Sequence, residues 1–252
     1  MRAGGRLTEK EVEYRQARLP RSVFSGARLG GVGYLRQLVD DGAKVDPQLD
    51  GCFTVILADG ARFEFGEETL IEALGMLVER FVEQEYQWLE AAGRVVVDVG
   101  ANVGDSVVYF ARRGAIHVYG FEPDVVTYNA ALRNIELNHL DNVTVTRAAV
   151  TGPIGAAPAG SQEMSFADVL DQVRSSHPGV PIVCKIDCEG CEYSLFADSL
   201  QAESVDQVSQ VMIEYHWRPP DSIEHKLESF GFQVDSEPAA APGVGWIRAR
   251  RS

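Results

Sequence analysis

From residue 94 onward the chain alternates short apolar strands with amphipathic helices, and this rhythm limits its possible folds more than any other feature. "RVVVDVG", "IHVYGFE", "NVTVTRAAV", "IVCKID" and "QVSQVMIEYH" read as strands. Between or after them, "DSVVYFARRG", "DVVTYNAALRNIELNH", "SFADVLDQVRSS", "CEYSLFADSL" and "SIEHKLESFG" read as helices. Strands that are apolar throughout are buried on both faces, and strands separated by helices pair in parallel. The pattern predicts an α/β fold with a mainly parallel sheet covered by helices on both sides. "FQVDS" and "GVGWIRARR" are expected to close it as an antiparallel pair. Ser165 and Asp168 have the spacing of a helix-capping pair.

The first 92 residues follow a different pattern. Residues 1–50 look helical and loop-rich, and "CFTVILADGARFEF" reads as two strands joined at Asp59-Gly60, a pair that tolerates a tight hairpin. Apolar residues from 69 to 92 recur at helical spacing until Gly93 stops them. Residues 1–92 are therefore expected to form a helical and hairpin extension, acting as a lid or by packing. Residues 93–252 form the main domain.

Charge narrows the function. At −14 the chain repels polyanions, so no nucleic-acid partner is expected. Residues 1–36 run against this, with eight Lys/Arg and three acids. A solvated arm is the simpler reading, and a basic lid over an acidic substrate the sharper one. No apolar run approaches the ~20 residues of a membrane span, and the N-terminus lacks a secretory pattern. No membrane partner is therefore expected, and four cysteines point to a cytoplasmic location without a disulfide framework.

Three of those cysteines, Cys184, Cys188 and Cys191, have the spacing of an iron–sulfur ligand set. Cys184, however, lies within an apolar strand, and four extended residues would place it roughly 13 Å from Cys188. That distance argues against a shared cluster.

"VVVDVGANVGDS", residues 95–106, sets a glycine-rich bend between strand and helix. Gly100 and Gly104 allow a sharp turn and close approach of a ligand to the backbone. Neither a dinucleotide fingerprint nor a Walker loop is present, so no pyrophosphate cradle is expected. Glu122 ends the next strand, where a carboxylate can accept hydrogen bonds from a ribose diol. The combination points to a nucleoside-sized ligand. The simpler alternative is that Asp98 and Glu122 only cap helices.

With "DVGANVGDS", "GFEPDVVTYNAALRNIELN", "KIDCEGCE" and "MIEYH" in this order, the chain resembles the FkbM family of S-adenosylmethionine-dependent methyltransferases over about residues 81–232. The resemblance implies a seven-stranded class I (Rossmann-like) methyltransferase fold. It also implies S-adenosylmethionine as methyl donor and O-methylation of a small molecule or glycan. Cys188 and Cys191 fill variable positions of the family pattern, whose framework is Lys185, Asp187, Glu189, Gly190 and Glu192.

Ligands of open α/β sheets sit beyond the carboxyl ends of the strands. On that topology Asp98, Gly100, Ala101, Asn102, Gly104 and Glu122 are assigned to the donor, with Ala148 and Ala149 bordering the adenine. Glu214 and His216 stand two apart on one strand face, near Asp187, and these three are the catalytic candidates. His216 is the expected proton acceptor. No metal is predicted; a divalent cation, if present, would sit on Asp187, Glu214 and His216. Lys185 is expected to pair with an acid, and Trp217 to wall the acceptor pocket or simply pack. The competing readings are a nicotinamide-dependent oxidoreductase and a non-catalytic nucleoside-binding module.

Overall fold

The computed structural model describes residues 29–48, 52–66, 70–151, 160–196, 202–239 and 243–251. The basic segment before residue 29 and most of the glycine-rich connection at 152–160 lie outside them. The chain packs as two units, residues 1–85 and 86–252.

In the first unit, helix α1 (Leu29–Asp40) leads to a three-stranded antiparallel sheet of β1 (Lys44–Pro47), β2 (Cys52–Ile56) and β3 (Arg62–Gly66). The expected hairpin is β2–β3. Its turn is held by Asp59 Oδ1, which accepts from Ala61 N at 2.9 Å, with Gly60 at φ +85°. β1 escapes the sequence reading because "KVDP" is too short and polar to show alternation. Helix α2 (Leu70–Leu77) widens into a π-helical turn at Val78–Val82, and the helical path breaks at Gln84, φ +54°. A single helix over 69–92 was expected; a 3₁₀ turn, Glu85–Trp88, follows the break instead.

The second unit opens with Tyr86, whose ring is buried against Tyr109, Phe110 and Trp246. Then follow β4 (Val95–Val99), α3 (Asp105–Arg112), β5 (His117–Phe121), α4 (Val125–Leu137), β6 (Val143–Thr146), β7 (Ala148–Thr151) and β8 (Gln162–Ser165). The chain continues through α5 (Phe166–Ser176), β9 (Ile182–Ile186), α6 (Glu192–Leu195), β10 (Val208–His216), α7 (Asp221–Ser229), β11 (Gln233–Pro238) and β12 (Val244–Arg250).

Seven of these strands form one sheet in the order β11-β12-β10-β9-β4-β5-β6. β12 runs antiparallel to β10 and β11, and the remaining pairs are parallel. This is the α/β architecture expected from the alternation of elements. Every residue of β4 and β9 is buried, as central strands covered on both faces must be. Each such strand buries several Val or Ile side chains, worth about 1.5–3 kcal/mol apiece.

One expected strand is two. "NVTVTRAAV" breaks at Arg147, so that β6 ends the large sheet while β7 pairs with β8 separately. Ser165 caps α5 as expected, its Oγ accepting from Asp168 N at 3.1 Å.

Chain direction reverses around β4. The path proceeds outward through β5 and β6, then returns to β9 on the other side of β4. Two crossovers that leave in opposite directions open a crevice at the carboxyl ends of β4 and β9.

Candidate functional site

A cavity of about 590 Å³ lies at that crevice, lined by Gly100, Asn102, Glu122, Ala148, Ala149 and Asp187 among others. The bend after β4 is its first wall. Gly100, at φ +86°, packs so closely on β9 that a Cβ there would stand 1.8 Å from the Asp187 carbonyl oxygen. Its N–H and that of Ala101 both donate to Phe121 O at 3.0 Å, stitching the bend to the end of β5.

Glu122 stands one strand over and turns toward the bend. Its Oε2 accepts from Asn102 N at 2.9 Å and its Oε1 from Asp124 N at 2.9 Å. Helix α4 is capped by the next acid, Asp124, which accepts from Val126 N and Thr127 N. Those two bonds hold the Asp124 carboxyl below the usual carboxylate range. Glu122 therefore does not cap the helix. Each of its oxygens keeps a lone pair beyond the backbone bond, and the residue lines the cavity.

Three residues assigned to the donor from the sequence, Asp98, Ala101 and Gly104, are not in the lining of this cavity. Asp98 is 0% exposed, beneath the bend: Ser106 Oγ donates to its Oδ2 at 2.5 Å, and Lys185 Nζ lies 3.1 Å from its Oδ1. Lys185 also donates to Gly100 O at 2.7 Å, which ties the buried pair to the bend itself. Desolvation raises the Asp98 carboxyl above its ordinary range against the opposing pull of Lys185. Ala101 is fully buried in the bend. Gly104 begins α3 at φ +86°, and a Cβ there would stand 3.0 Å from Ala131 of α4, so helix packing requires this glycine. Lys185 pairs with an acid, as expected.

The opposite wall is the loop Asp187–Cys191. Here Cys188 and Cys191 form a disulfide that the sequence reading did not foresee. Cys184 is 0% exposed within β9, and burial pushes its thiol far up. Cys184 therefore stands apart from the bonded pair.

Glu214 and His216 do share a strand face near Asp187: one donor atom from each of the three lies within 4.8 Å of the others. His216 is buried, and its Nδ1 lies 2.7 Å from Oε1 of Glu192, itself 0% exposed at the start of α6. A carboxylate only accepts, so Nδ1 carries the proton and Nε2 holds the lone pair whenever the ring is neutral. The Glu192 bond, together with Glu189 and Asp187, pushes the His216 pKa up to about 9 despite partial burial. Sequence reading placed Glu192 in a motif without a role; only the fold sets it against His216.

Trp217 is 68% exposed at φ +65°, and its ring covers Gly190, where a Cβ would meet it at 2.4 Å. It packs on the loop and also stands open to solvent. Among the described residues no helix is long and apolar enough to cross a membrane.

Solved structures share this architecture at low identity. A candidate S-adenosylmethionine-dependent methyltransferase from Streptococcus mutans matches with a TM-score of 0.50 at 15% identity, over 81% of this chain and 57% of that one. Magnesium protoporphyrin IX methyltransferase from Synechocystis PCC 6803 gives 0.46 at 13% identity, over 94% and 99% of the two chains. A candidate rRNA methylase from Clostridium thermocellum gives 0.43 at 11% identity, over 68% and 97%. The FkbM methyltransferase domain matches residues 98–234, a span that contains both walls of the crevice and more than half of the chain. The chain belongs to the FkbM family of methyltransferases.

Proposed function

We propose that the protein transfers a methyl group from S-adenosylmethionine to a hydroxyl of a small molecule or sugar, using the domain 93–252 with 1–92 as an appendage. The observation that carries this reading is Glu122, fixed by two backbone amides on one side of a nucleoside-sized cavity. The residues present suit the donor: Glu122 has lone pairs for a ribose diol, and the small Ala148 and Ala149 leave room for a flat base. S-adenosylmethionine, when bound, would supply an electrophilic methyl carbon for in-line attack by the acceptor oxygen, the C–S bond breaking as S-adenosylhomocysteine leaves. His216, set behind the cavity-lining Asp187, takes the acceptor's proton at Nε2, and Glu192 holds the ring in that tautomer and stabilises the imidazolium formed. Asp187 and Glu214 flank the proton acceptor. This scheme uses no metal; a divalent cation would compete for the same three donor groups. The net charge of −14 favours a small acceptor over nucleic acid.

Calorimetry tests the donor site. S-adenosylhomocysteine is expected to bind, and Glu122→Ala to weaken it about 10–100-fold, the loss of one or two hydrogen bonds to a charged group. Unchanged affinity, or binding of a nicotinamide cofactor instead, overturns the reading.

A second measurement addresses the proton acceptor. An NMR titration of His216 is expected to show a midpoint near 9, and Glu192→Gln should move it down toward 6.5. The folded value exceeds the unfolded one, so the stability contributed by this pair is complete below pH 6.5 and disappears as pH rises through 9. The gap in stability between the parent and Glu192→Gln should close over that window. Methylation, by contrast, requires the neutral ring and should rise with pH toward 9. A His216 that titrates near 6.5 in the parent protein removes the dyad.

A further inference from the structure

The Cys188–Cys191 bond closes a four-residue loop in the wall opposite the glycine bend. Its preceding residue, Asp187, carries the carbonyl against which Gly100 of the donor bend is packed, and a Cβ on Gly100 would also meet Cys188 Cα at 3.5 Å. The following residue is Glu192, which holds His216. Inside the ring, Glu189 at φ +54° and Gly190 at φ +108° both occupy the left-handed region, which is unfavourable for glutamate. The bridge thus holds a tightly wound loop between donor bend and proton acceptor.

Both sulfur-bearing residues are half-buried and line the cavity, so a small reductant entering the crevice reaches them directly. Cys184 offers no third thiol for exchange, because it is 0% exposed on the adjoining strand.

We propose that Cys188–Cys191 is a thiol–disulfide exchange site whose reduction by a dithiol loosens the Asp187–Glu192 loop and weakens donor binding. A thiolate of the dithiol attacks one sulfur, breaking the Cys188–Cys191 bond and forming a mixed disulfide. The dithiol's second thiolate then attacks its own sulfur in that mixed disulfide. The dithiol leaves as a disulfide, having given up two electrons, and both cysteines end as thiols after taking up two protons. The oxidised protein is the binding-competent form. Only the donor-binding part of this inference rests on the donor site proposed above.

The test uses the full chain equilibrated in air, before and after dithiothreitol. Alkylation and peptide mass spectrometry should find Cys188 and Cys191 unlabelled at first and both labelled after reduction. Hydrogen exchange across residues 187–196 should then rise about fivefold or more, and S-adenosylhomocysteine affinity should fall about five- to tenfold, both reversing on reoxidation. The double variant Cys188→Ser/Cys191→Ser should match the reduced protein and ignore dithiothreitol. Alkylation of Cys188 or Cys191 in the air-equilibrated protein, survival of the bond in native protein treated with dithiol, or equal exchange in both states overturns the proposal. Equal S-adenosylhomocysteine affinity in the two states does the same. If neither form binds that ligand, the donor reading fails, and alkylation with hydrogen exchange still decides whether the bond controls the loop.

Discussion

Replacing Lys185 with alanine is expected to lower folding stability by about 3–5 kcal/mol, because it strands a buried carboxylate. Lys185 and Asp98 are register partners on β9 and β4, 1% and 0% exposed. The Asp98 carboxyl is already raised by burial, and the Lys185 charge is the strongest influence opposing that rise. Without it the ionised form loses its ion pair and keeps only Ser106. The deficit should be largest at neutral pH. It should shrink as pH falls toward 3.8, because a raised folded pKa means that the native state takes up its proton first. Pairing Lys185→Met with Asp98→Asn should recover much of the loss, since removing both charges removes the desolvation cost of each. Denaturant titration of the three variants checks this. A loss below about 1 kcal/mol for Lys185→Ala, in the range of an exposed pair, would show that the pair does not anchor the bend.

Gly100→Ala is expected to abolish measurable S-adenosylhomocysteine binding and to cost about 2–5 kcal/mol of stability. The estimate combines about 1–2 kcal/mol for a non-glycine residue in the left-handed region with about 1–3 kcal/mol for overpacking. Position 100 sits at φ +86°, and the obstacle facing the new methyl is a backbone carbonyl 1.8 Å away. A flexible side chain could move aside, but the end of a central buried strand cannot. Either the bend or β9 must shift, and the shift separates Asn102 N from Glu122 Oε2. Thermal denaturation together with calorimetry measures both effects. Gly179→Ala provides a control for the backbone term alone: it also has positive φ, at +76°, but nothing lies within 4 Å of its Cβ position. Binding by Gly100→Ala at parental affinity would mean that the bend does not shape the donor site.

Much of this architecture was legible from local pattern. Residues that alternate strand and helix dictate a parallel sheet, and apolar strands such as "VVVDV" and "IVCKI" have no stable place except its centre. Misreadings occurred where local pattern is ambiguous. The split at Arg147 lies within one unbroken strand-like run, and strand pairing is decided by neighbours distant in sequence. The helical run after residue 69 has suitable spacing throughout, yet the path turns at Gln84.

The sequence by itself determined the order of elements, the glycine bend at the end of β4 and the carboxylate at the end of β5, because backbone conformation and strand burial are written in short-range spacing. Tertiary structure alone decided what each charged or sulfur-bearing group became. Asp98 and Glu122 both follow a run of apolar residues at a strand end, yet one is neutralised beneath the bend by Lys185 and the other faces the cavity. Glu192 orients His216, and Cys188 bonds to Cys191. The physical reason is that the state of an ionisable group or a thiol depends on its partners and its access to water, and both are supplied by neighbouring strands and loops that meet only when the sheet is assembled.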